Sequence, residues 1–170
     1  MIRAAYWVAV AATLGVYAVM VLWTLPEISA QTGELRPFDL RPTGYSSAEA
    51  RAFLAALSDK GRALYLGPQH WLDLLYPALL AITLAGAVRA LVTPKALQIA
   101  LITSVMLGMA ADYVENTLVA RMLNETGAVP DGLIALASCA TVAKSVLTGV
   151  AILAVCAGLL RAGWARWRTT

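Results

Sequence analysis

The sequence predicts an all-α polytopic membrane protein, a four-helix bundle forming a single transmembrane domain over residues 1–170. Three observations predict it. The 170 residues are 60% hydrophobic and only 14% charged, where soluble domains carry about 45–50% and about 25%. The apolar residues fall into four runs, at about 4–25, 71–92, 97–120 and 132–160, each close to or beyond the ~20 residues that cross a hydrocarbon core. The few ionisable residues inside those runs recur at helical spacing, so that each helix carries one polar stripe.

The first run ends near Ile28-Ser29-Ala30, which loosely resembles a signal-peptidase site. Its apolar stretch exceeds the ~7–15 residues of a signal h-region, so a retained first helix is expected. The connection at about 26–70 is the one long loop. It opens with a turn-rich stretch from Pro37-Phe38-Asp39 to Pro42-Thr43-Gly44-Tyr45. Ser46 then precedes Glu49 by three residues, the spacing of a capping box. Ala50, Phe53, Leu54, Leu57 and Leu64 follow at helical spacing, with Arg51, Asp59, Lys60 and Arg62 between them. This pattern predicts a short amphipathic helix, broken near Gly61, that lies on the membrane face or packs on the bundle top as a connector or lid.

Orientation follows from lysine and arginine in the connections. With the N-terminus inside, the inner segments hold Arg3, Arg89, Lys95, Arg161, Arg166 and Arg168 and no acid. The outer segments hold as many basic residues, but Glu27, Glu34, Asp39, Glu49, Asp59, Glu125 and Asp131 dilute them. Both termini are therefore expected in the cytoplasm, with the chain in the inner (plasma) membrane and the long loop outside. Trp164 and Trp167 among arginines form an expected interfacial anchor.

Composition also excludes. A net charge of +3, dispersed along the chain, argues against nucleic-acid binding. Cys139 and Cys156 are seventeen residues apart in the last run, about 25 Å of helix, too far for a disulfide. With His70 the single histidine, no metal site and no cofactor is expected.

The informative residues are the ionisable ones within the spans. Asp73 opens the second helix, Asp112 and Glu115 lie in the third and Lys144 near the middle of the fourth. A charge at the bilayer centre costs about 2.5–3.5 kcal/mol on insertion scales, so such groups normally face the bundle and pair. Gly108, Asp112, Glu115 and Asn116 share a face of the third helix, as Ala137, Ala140, Thr141, Lys144 and Thr148 share one of the fourth. Gln69, Asp73, Tyr76 and Pro77 cluster on the second, while the first offers Tyr6, Thr13, Tyr17 and Thr24. Asp112 and Glu115 are the candidate acid/base pair: two acids beside one lysine leave one without its own cation, free to carry a proton. Lys144, Asn116, Asp73, Tyr76 and His70 are the candidate ligand-binding residues, the last three lining the mouth. Four of them have a plainer role too: ion pairing for Lys144, interhelical hydrogen bonding for Asn116, helix capping for Asp73 and an interfacial position for His70.

The runs Asp112-Tyr113-Val114-Glu115-Asn116, Pro37-Phe38-Asp39-Leu40-Arg41-Pro42 with Gly44-Tyr45, and Asp73-Leu74-Leu75-Tyr76-Pro77 resemble those of a group of small multi-pass bacterial membrane proteins. The resemblance implies the multi-pass architecture and no mechanism. In helix count and buried acids the chain also resembles the four-helix sterol isomerase and sigma-2 receptor class. Three functions fit these observations. The first is binding, with possible acid/base conversion, of a small amphiphilic or lipid-like ligand in an intramembrane cavity open to the outer leaflet. The second is an accessory subunit docked on a membrane protein partner through small-residue faces such as Ala135, Cys139 and Ala143. The third is proton-coupled transport by a dimer.

Overall fold

The computed structural model describes residues 2–168, and among them the regular structure is entirely helical. Four helices are long and apolar enough to cross a membrane: α1 (Arg3–Ala30), α3 (Asp59–Leu91), α4 (Lys95–Asn124) and α5 (Asp131–Trp167). A short helix, α2 (Ser47–Ala56), lies in the long connection between α1 and α3. The bundle therefore has a loop end, where residues 31–58 sit, and an opposite end, where α1 begins and α5 ends.

Prolines explain much of the helix geometry. Pro94 and Pro130 stand immediately before α4 and α5, where a missing N–H breaks no helical hydrogen bond. Pro26 and Pro68 lie inside spans, and each is accompanied by a wide π turn, Met20–Thr24 in α1 and Tyr65–Gln69 in α3. Leu25 N–H reaches back to Met20 O, and His70 N–H to Tyr65 O, the five-residue reach of a π turn. The two wide turns meet through a buried hydrogen bond from the Thr24 hydroxyl to Gln69 Oε1.

The third helix begins at Asp59, a dozen residues before the apolar run at 71. Ser58 caps it by accepting from Gly61 N at 3.1 Å. The break between the helices falls at Leu57 and Ser58 and not near Gly61 as expected; Gly61 lies within the helix, with Gln31 and Leu57 close against its bare Cα. The last helix continues beyond residue 160 through Trp164 to Trp167.

The largest core is at the loop end. Phe38, Phe53 and Ala50 from the connection are fully buried with Ile28, Met122, Leu123, Ile134 and Ala137 from the long helices. The Ser46–Glu49 box starts α2: Ser46 Oγ accepts from Glu49 N at 3.2 Å and Ser46 N donates to Glu49 Oε2 at 2.8 Å. The apolar face of α2 enters this core, while Arg51 points out to Asp131 at 2.8 Å. Smaller clusters follow down the bundle, Ala81, Leu84, Val105 and Ala151, then Val88, Val92 and Leu101. The outward faces carry exposed Trp7, Leu22, Trp71, Leu153 and Leu160, as a lipid-facing surface requires.

Gly108 brings α4 and α5 together: a Cβ there would meet Thr148 Oγ1 at 2.7 Å. The space that glycine leaves beside Asp112 is filled by the neighbouring helix, which is how small residues work in apolar bundles.

Candidate functional site: a carboxylate-lined cavity

The stretch 37–45 carries a loop residue into the bundle. Phe38 is buried against Tyr45, Phe53 and Tyr65, and the Arg41 guanidinium lies 5.8–5.9 Å from the centres of the Phe38, Tyr45 and Phe53 rings. Arg41 is fixed there by hydrogen bonds of 3.0 and 2.7 Å to Arg36 O. Gly44 turns the chain with φ +83°, a left-handed conformation that suits glycine. A Cβ at Gly44 would also strike Ser138 Oγ at 2.6 Å. Ser138 in turn accepts from Tyr45 N at 2.8 Å. With Phe38 anchored, the next residue, Asp39, reaches Tyr65, whose hydroxyl donates to Asp39 Oδ2. Burial raises the Tyr45 phenol well above its ordinary range, and the Glu115 carboxylate adds to the effect.

Deeper in the bundle Lys144 is held by two acids, Asp112 Oδ1 at 3.2 Å and Glu115 Oε2. Glu115 is fully buried, and its other oxygen accepts from the Thr141 hydroxyl at 2.6 Å. One lysine therefore serves both acids, and neither is left without the cation. Beside them Asp39 and Asp73 have no ion pair among the described residues. Asp73 is 7% exposed and accepts from Gln69 Nε2 at 2.7 Å. Gln69 also accepts from Thr24, so a chain of neutral donors runs from α1 to Asp73.

These groups surround a cavity of about 170 Å³. Asp39, Asp73, Asp112 and Lys144 line it together with Tyr17, Met20, Leu25, Leu40, Tyr76 and Pro77. Tyr17 and Tyr76 stack with ring centres 5.9 Å apart. Tyr17 is about half exposed (49%) on the outside of the bundle, so the cavity has a lateral opening beside α1.

Of the candidate residues read from the sequence, Asp73, Tyr76, Asp112 and Lys144 meet at this cavity. Glu115 lies behind Lys144 and does not line it. Asn116 and His70 border a smaller void of about 10 Å³, with Asp39 and Asp73 on its other walls. The Asn116 amide donates to Asp73 O at 2.9 Å, an interhelical tie. Sequence reasoning missed Asp39 as a site residue: it stands in a loop with no periodicity, and the available signal was its place beside a buried aromatic in the Pro37–Pro42 stretch. The chain matches no known family model, no curated protein and no solved structure.

Proposed function

We propose that this protein is a multi-pass protein of the inner (plasma) membrane that binds a small amphiphilic or lipid-like ligand in this cavity. The observation that carries the reading is the cavity wall: stacked tyrosines and apolar side chains with a few convergent charged groups, the usual make-up of a ligand site. The half-exposed Tyr17 supports entry from the bilayer, with the ligand's chain passing between helices. Both termini lie in the cytoplasm in this reading, which places the loop end and the cavity at the outer leaflet and α2 over the bundle as a cover. Asp112, which lines the cavity, is the acid/base candidate for any conversion of the ligand, and Glu115 holds Lys144 in place. Mass spectrometry of the intact protein released from mild detergent tests this. A small amphiphile is expected on the wild-type chain and absent from Met20→Trp, which fills the cavity. No bound amphiphile on either would overturn the reading.

A second reading, an accessory subunit of a larger membrane complex, is favoured by one observation: Ala135 and Cys139 are exposed one turn apart on α5, a small-residue face of the kind that docks helices. A stoichiometric protein partner in the same spectra would establish it.

A further inference from the structure

We infer that the ligand this cavity takes carries a positive charge: the head of an amine or quaternary-ammonium amphiphile, held between Asp73 and Asp39. The inference rests on the reading of the cavity as a ligand site and adds the chemical class.

The charges around the cavity do not balance. Three carboxylates, of Asp39, Asp73 and Asp112, line it with one ammonium, that of Lys144, which Asp112 shares with Glu115 behind it. The other ion pairs among the described residues, Arg51 with Asp131 and Lys60 with Glu27, lie outside this cavity. Arg41, close to Asp39 in sequence, is committed to Arg36 O and to the aromatic faces. Asp73 is more than nine-tenths buried, and one of its oxygens takes the Gln69 amide. No ion pair joins Asp73 to a cation among the described residues, and its side chain lines the cavity. A buried carboxylate without a cation is costly and recruits either a proton or a positive group.

The rest of the wall decides which. A proton needs no cavity. This cavity is larger than the about 150 Å³ void that admits benzene, room for a substituted ammonium and its first methylenes. Its acids are not gathered as a metal site, since no group of three or more His, Cys, Asp or Glu among the described residues could hold a metal ion. Tyr17 and Tyr76, stacked on each other, line the cavity, and aromatic rings attract organic cations; Met20, Leu25 and Pro77 suit the alkyl groups around the nitrogen. An anionic head would meet three carboxylates against the one Lys144 ammonium, already paired, and a neutral one would leave Asp39 and Asp73 without a counter-charge.

The test uses the full chain in a neutral maltoside detergent with three probes of equal chain length: decyltrimethylammonium, decanol and decanoate. Calorimetric titration is expected to show saturable binding of decyltrimethylammonium, about tenfold or more tighter than decanol, with decanoate weakest. Asp73→Asn and Asp39→Asn should each weaken the cation at least about tenfold more than they weaken decanol. Decanol binding as tightly as decyltrimethylammonium overturns the cationic class and leaves the cavity reading standing. Cation binding that neither substitution changes overturns it as well. Saturable binding of none of the three probes overturns the cavity reading along with it.

Discussion

Two pairs of acids sit in the same bundle and are held in opposite ways. Asp112 and Glu115 share an ammonium, and Glu115 has a threonine hydroxyl besides. Asp39 and Asp73 have only neutral donors, a phenol and an amide. In the first arrangement each acid has a contact with the cation, as a buried ion pair needs. The second is incomplete and borders the cavity. The difference shows that counting buried charges does not locate a site. On the proposed reading, what locates it is which of them the protein leaves without a counter-charge.

The sharpest way to break this comparison is to remove the cation. Lys144→Met strands two carboxylates and is expected to cost about 3–5 kcal/mol, read by unfolding in detergent, with Glu115→Gln in the same chain recovering much of the loss. Asp73→Asn keeps an oxygen for Gln69 and should change stability by less than about 1 kcal/mol. Equal losses from Lys144→Met and Asp73→Asn would show that the two acid pairs are alike.

A smaller effect sharpens the second arrangement. Tyr65→Phe removes the one hydroxyl that donates to Asp39 and should cost about 1–3 kcal/mol, the range for a buried polar group left without its partner. Hydrogen exchange in residues 37–45 should rise with it, since Tyr65 also packs on Phe38. Exchange unchanged from wild type would show that Asp39 is held without Tyr65.

The smallest effect lies outside both pairs. Hydrogen bonds from Ser46 lower the Glu49 carboxyl below its ordinary 4.5. A lowered value means that the cap's contribution is fully present above pH 4.5 and is lost as pH falls through the folded value. Glu49→Gln should therefore be slightly less stable than wild type at neutral pH, with the difference closing in acid. A difference that persists in acid would remove the carboxylate from the cap.

Much of this was legible in the sequence because it is written as periodicity. The four apolar runs correspond to the four long helices, and the shared faces of Asp112 with Glu115 and of Thr141 with Lys144 put those side chains in contact. The capping box was legible because its chemistry is local to four residues. Three things were not. The polar first turns of α3, with Asp59, Lys60 and Arg62, hid three turns of helix before the apolar run. The role of Asp39 depends on Phe38 docking among residues distant in sequence, which no local pattern encodes. The sharing of Lys144 by both acids is a matter of side-chain reach, which helix faces alone do not determine.

The paired wide turns also bear on how this chain tolerates changes in length. A π turn is what an α-helix becomes on accommodating one additional residue. Deleting one residue within Met20–Thr24 or Tyr65–Gln69 would return that helix to ordinary winding, with its flanking segments still in phase. The same deletion elsewhere in α1 or α3 would turn one half of the helix about 100° against the other and carry its apolar stripe out of register. Single-residue length variation among natural variants of this chain should therefore gather at these two turns, and a variant shortened there should keep its fold while losing the Thr24–Gln69 contact beside the cavity.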